Sequence, residues 1–152
     1  MKIKLLFFLS LFLSISGFFV YAQNQKDLKT PIVSFKNNVN LPLSNEEKEL
    51  IREVYQKEYN LITENLERLR FIKNLVRNRV EVRVLNDFPK QVKLLSEVPL
   101  FNKYNAELRR KRFDKDDFNP LSYNFDFYSK TTQIYRVDNT NYYIIIKSQY
   151  QD

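Results

Sequence analysis

Residues 44–85 read SNEEKELIREVYQKEYNLITENLERLRFIKNLVRNRVEVRVL, and two different periods run through them in succession. Ser44 followed by Glu47 is a capping box: each side chain accepts from the other residue's backbone N–H, which opens a helix. From there to Arg79 neither Pro nor Gly interrupts. Ile51, Tyr55, Ile62, Leu69, Ile72 and Val76 recur at helical spacing, reinforced by Leu50, Val54, Leu61 and Leu75. Charge agrees with the direction of the dipole. Glu46, Glu47 and Glu49 stand near the start, and Arg68, Arg70, Lys73, Arg77 and Arg79 crowd the end. The spacing predicts one helix over 45–79, about 50 Å long. Val80 to Leu85 then alternates with period two, a half-buried strand with Val80, Val82 and Val84 inward.

Two polar residues interrupt the apolar seam of that helix. On a helical wheel Glu58 and Asn65 fall mid-face, between Ile51 and Ile72. A polar group there must find a partner or meet solvent. The first expectation is a structural pair between Glu58 and an arginine of the sheet, Arg136 or Arg83. The second is register control in a homodimer formed through the 45–79 helix. The third is a carboxylate of raised pKa acting as a general acid, which glycosidase chemistry would need twice, at a defined separation.

Downstream, Asn86-Asp87-Phe88-Pro89 is a turn, and Val92 and Leu94 suggest a short strand ended by Pro99. Ala106–Arg112 is read as a helical turn and Asp114–Pro120 as a loop. Tyr123, Phe125 and Phe127 alternate with Asn124 and Asp126, as in a further strand. Gln133–Val137 and Tyr142–Lys147 form a hairpin across Asp138-Asn139-Thr140-Asn141. Such a loop sets Tyr135 opposite Ile144 and Ile134 opposite Ile145. Both faces are then apolar, so Tyr142–Ile146 is expected to be central or covered. The fold class expected is α+β: one long N-terminal helix packed on a four- to five-stranded antiparallel sheet with a C-terminal hairpin.

Upstream, Lys2 and Lys4 precede an apolar run from Leu5 to Val20, and Val20-Tyr21-Ala22 offers small residues at a cleavage site. Residues 1–22 are therefore read as a signal peptide, 23–43 as an extended or partly disordered leader docked near Ile32–Phe35, and 44–152 as a single domain. The run is short for a membrane span, so no transmembrane anchor is expected after cleavage. No Cys follows it, which excludes a lipoprotein. The expected address is periplasmic or extracellular.

Composition removes many functions. The 152 residues hold no His, Cys or Trp, and a single Gly, Gly17, lies in the apolar run. Zinc, copper, haem and iron–sulfur sites lose their usual ligands. Ser-His-Asp and Cys-His catalysis are excluded, as are P-loops and dinucleotide fingerprints, which need Gly. No cofactor and no metal are expected. With Gly scarce, turns should use Asn and Asp, which tolerate left-handed backbone.

The net charge is +7, and Arg109-Arg110-Lys111-Arg112 is its densest run, a candidate patch for anionic headgroups or acidic polysaccharide. Asp114, Asp116 and Asp117 follow at once and nearly cancel it, so a solvated face is the simpler reading; export makes nucleic acid an unlikely partner. The acidic run itself is not an EF-hand, because Asn119 and Phe125 stand where Gly and Glu are needed. Tyr123, Phe125, Phe127, Tyr128, Tyr135, Tyr142 and Tyr143 could stack on sugars if exposed, but their strand spacing favours the core. The leading expectation is an exported, non-catalytic binding or structural protein whose partner is a protein or envelope component. The alternative is a glycan-binding or carboxylate-dependent glycan-processing protein.

Overall fold

The computed structural model describes residues 35–86 and 91–150. The fold is α+β, with a helical arm followed by a three-stranded antiparallel sheet. The capping box forms as expected. Glu47 N donates to Ser44 Oγ at 3.2 Å and Ser44 N to Glu47 Oε2 at 2.8 Å, starting α1, Asn45–Tyr55.

The single long helix does not form. After α1 the chain makes a 3₁₀ turn, Gln56–Glu58, then α2, Tyr59–Glu64, then α3, Leu66–Asn74, and a π turn, Leu75–Arg79. The first break is at Gln56, whose φ of 41° is left-handed, a conformation that costs about 1–3 kcal/mol without Gly. The second is at Asn65, which is extended and accepts from Arg68 N at 3.0 Å. Asn65 is thus the N-cap of α3, the role its short side chain favours. Just before it, Thr63 Oγ1 bonds back to the Tyr59 and Asn60 carbonyls, a contact that bends helices.

Among the described residues the sheet has three strands, not four or five. They are β1, Val80–Val84, β2, Gln133–Arg136, and β3, Tyr142–Ile146, in the order β1-β3-β2. Central β3 pairs Tyr135 with Ile144 and Ile134 with Ile145, the register read from the hairpin loop. Asn139 turns that hairpin at φ 55°, so an Asn does take a position that Gly would otherwise fill. On β1, Val80 and Val82 pack on the core, but Val84 is exposed. It ends an edge strand beyond the last packed layer.

The two missing strands are lengths of irregular chain pinned at one point each. Leu94 makes a single bridge to Arg136, and Tyr123 one to Leu100. The alternation at Tyr123 and Phe125 reports burial of those rings, at 8% and 5% exposure, rather than a hydrogen-bonded ladder. Residues 106–112 likewise form no helix. Residues 87–89 of the turn expected at 86–89, and residues 32–34 of the docking segment expected at 32–35, lie outside the described residues.

The core joins Ile51, Val54, Ile62, Ile72 and Leu75 of the helical arm to Ile144, Ile146, Tyr135 and Val137 of the sheet, with Leu95, Val98, Leu121 and Phe125 between them. The described part of the leader is held firmly. It makes a 3₁₀ turn, Asn37–Asn40, that buries Val39. Lys73 Nζ donates to the Val39 and Leu41 carbonyls at 3.1 and 2.7 Å. Arg77 grips Glu47 with two bonds of 2.5 and 2.6 Å and also donates to the carbonyls of Asn38 and Pro42. Asn38 and Asn78 exchange side-chain bonds.

Candidate functional site

The seam residues do not come together. Glu58 lies in the 3₁₀ turn, half-buried, with no ion pair to any described residue. The wheel that placed it beside Ile51 and Ile72 assumed a continuous helix, and the turn at Gln56 resets the phase. Asn65 is an exposed cap. Arg136 pairs across the sheet with Tyr143, so its side chain leaves on the face opposite Tyr135 and Ile144. Arg83 bonds Glu81, which Lys147 also reaches; the bond from Lys147 is the first reason the Glu81 carboxyl is held below its ordinary range.

The basic run is divided among separate tasks. Arg110 donates to the carbonyls of Leu95, Ser96 and Val98 and lies over the Tyr123 ring. Lys111 pairs with Glu53 at 2.6 Å. Arg109 bonds the Ala106 and Leu108 carbonyls. Burial pushes the Glu53 carboxyl up, but bonds from Asn119 and Lys111 outweigh that and hold it low. The cleft beside this run is about 30 Å³, room for a water or two.

A much larger feature lies between the helical arm and residues 101–128. It is a groove of about 780 Å³, within the range of small-molecule clefts. Its floor is aliphatic: Ile62, Ile72, Leu75 and Leu121, all buried. One wall is a cluster of three rings, with centroids of Tyr55 and Tyr104 5.4 Å apart and Phe101 completing it at 6.1 and 5.8 Å. Elsewhere along the groove Phe71 and Tyr128 stack at 5.1 Å and 12°. Tyr128 is 69% exposed, so its outer face is open, and Asp126 Oδ1 fixes the turn beneath it by accepting from Tyr128 N.

Glu67, Arg68, Asn124 and Asp126 form the polar rim, all exposed. Burial pushes the Tyr55 hydroxyl above its usual range, with Tyr104 and Tyr128 adding to the rise and Arg68 opposing it. Two further phenols and one guanidinium therefore sit within electrostatic reach of the Tyr55 hydroxyl. Arg79 supports this region from behind. Buried to 4% exposure, it donates to the carbonyls of Phe127 at 2.6 Å and Lys147 at 2.9 Å and faces the Phe71 ring.

Sequence reasoning missed the groove. Its rings come from four separate stretches, around residues 55, 71, 101–104 and 123–128, and no local period marks them. The one available signal is the run Phe101-Asn-Lys-Tyr104, two rings in a segment with no strand or helix pattern. Among the described residues no group of three His, Cys, Asp or Glu side chains gathers to hold a metal ion, and no helix is long and apolar enough to cross a membrane. No family model, no curated protein and no solved structure matches the chain.

Proposed function

We propose that this protein is exported to the cell envelope and acts as a non-catalytic binding domain, with the aromatic groove as its recognition site. The groove carries the reading. An apolar floor, packed ring walls and a rim of separate polar groups suit capture and orientation of a ligand. Glu58, the carboxylate singled out in the helical arm, does not line it. Export rests on the features of residues 1–22, and the partner class remains a protein or another envelope component.

Two measurements test this. Intact mass of protein recovered from native envelopes should correspond to a chain starting at Gln23; a chain starting at Met1 refutes cleavage. Tyrosine nitration should modify Tyr104 and Tyr128 less in intact envelopes than in the purified protein, while exposed residues elsewhere react equally. Equal modification of both tyrosines in the two settings refutes the groove as an occupied site.

A further inference from the structure

We propose that the groove takes a neutral oligosaccharide chain. The inference rests on the groove being the recognition site, and three observations select the ligand class. The first is charge. The rim carries both signs, Glu67 and Asp126 with Arg68, and Lys103 lies over the Tyr104 ring, so no single sign dominates and a charged head gains no net attraction there.

The second is hydrogen bonding. Among the described residues, the side chains of Glu67, Arg68 and Asn124 and the hydroxyls of Tyr55, Tyr104 and Tyr128 are bonded to no protein group. An acyl chain or apolar peptide anchor laid over them would strip their water and return nothing, which costs free energy. A chain of hydroxyls is both donor and acceptor. It can receive from the planar Arg68 and Asn124 groups and donate to the two carboxylates.

The third is the ring geometry. Tyr128 stacks on Phe71 and presents its other face outward, held by the Asp126 turn. A pyranose ring has an apolar C–H face, weakly positive, that fits against the negative face of an aromatic ring. Because Tyr128 is already fixed, little ordering cost accompanies binding. The Tyr55–Phe101–Tyr104 cluster offers a second wall along the groove, so the fitted ligand is a chain and not a single sugar.

The test is titration of the full mature protein with cellotetraose, maltotetraose and chitotetraose, read by saturation-transfer NMR and calorimetry. Dodecanoate and a heparin tetrasaccharide serve as apolar and anionic comparators. At least one neutral tetrasaccharide should bind, and Tyr128→Ala should weaken it about tenfold, a loss in keeping with one stacked ring. Tyr128 is exposed, so the variant should fold, which circular dichroism checks. Arg68→Met should weaken the same ligand without creating affinity for dodecanoate. Failure of all three neutral saccharides, binding unaffected by Tyr128→Ala, or tighter binding of either comparator overturns the inference. Envelope protection of Tyr104 and Tyr128 without saccharide binding would refute the glycan alone; lack of protection would refute the groove reading itself.

Discussion

Removing Arg77 should release the leader and destabilise the whole domain. Its guanidinium joins three segments: the first turn of α1 through Glu47, the leader through the Asn38 carbonyl of its 3₁₀ turn and the Pro42 carbonyl beyond it, and its own π turn. The two side chains of the ion pair are 14% and 12% exposed. Breaking a buried pair from one side typically costs about 3–5 kcal/mol. The residual exposure places Arg77→Ala near the lower end, about 3 kcal/mol. With a urea slope near 2 kcal/mol per M, the midpoint falls by about 1.5 M.

Acid should act on the same contact. The Arg77 bond, outweighing burial, holds the Glu47 carboxyl below its ordinary value of 4.5. A carboxyl depressed in the folded state adds stability that is fully present above its unfolded pKa. That stability is lost as pH falls through the lower, folded value. Wild type should therefore lose stability progressively below about pH 4.5, and Arg77→Ala should lose less over the same interval. Arg77→Lys keeps the charge but not the fork, so it should fall between the two. Urea melts at several pH values decide the matter. A loss under about 0.5 kcal/mol for Arg77→Ala, or a mutant profile parallel to wild type below pH 4.5, would refute the argument.

Other outcomes follow from single residues. Asn65→Ala removes the cap of α3 and should cost about 0.5–2 kcal/mol, with a loss of helical ellipticity; no change would mean that Asn65 does not cap. Gln56→Gly should raise the urea midpoint, since Gly relieves about 1 kcal/mol or more at φ 41°; a lower midpoint would show that the helix is continuous there. Ile144 is fully buried on the central strand, so Ile144→Ala should cost about 2–5 kcal/mol, and a loss under about 0.5 kcal/mol would place β3 at the surface. Glu58→Ala should change stability by no more than about 0.5 kcal/mol, and a several-fold larger loss would point to a partner that the structure does not give it.

The legible parts of the fold are those fixed by neighbours in sequence. The Ser44–Glu47 box needs three residues, and the Tyr135–Ile144 register follows from a loop of four. Asn139 in left-handed backbone follows from the scarcity of Gly. The long helix fails because a wheel sums apolar spacing without asking what each polar residue prefers. Asn65 prefers a cap and Thr63 bonds backward, and together they are a readable stop. Gln56 carries no such signal, since nothing in its own chemistry selects φ 41°. Tyr123 and Phe125 show the other failure: period two records which side chains are buried, and the Pro99 and Pro120 flanks leave the backbone without a ladder. The candidate site was the least legible part, because its ring clusters form only when the arm folds over residues 101–128.

The positive charge has a structural explanation that a reading of patches does not supply. A chain with three short strands leaves long irregular stretches, and their carbonyls must still be bonded wherever they are covered. Four cations meet that need. Lys73 and Arg77 bond carbonyls of the leader, Arg79 those of Phe127 and Lys147, and Arg110 those of Leu95, Ser96 and Val98. A guanidinium reaches several such groups at once from a distant element. The cost is visible where the fit is incomplete: Arg79 keeps one buried terminal nitrogen with no partner, and Arg70 and Arg136 each keep a buried Nε. Burial holds the Lys73 and Arg79 pKa values below their ordinary ranges, as expected for cations bonded to carbonyls instead of carboxylates. Three of the ten arginines, Arg77, Arg79 and Arg110, thus act as cross-links between main-chain segments, and within the Arg109–Arg112 run Arg110 is turned to that work while Lys111 pairs with the Glu53 carboxylate.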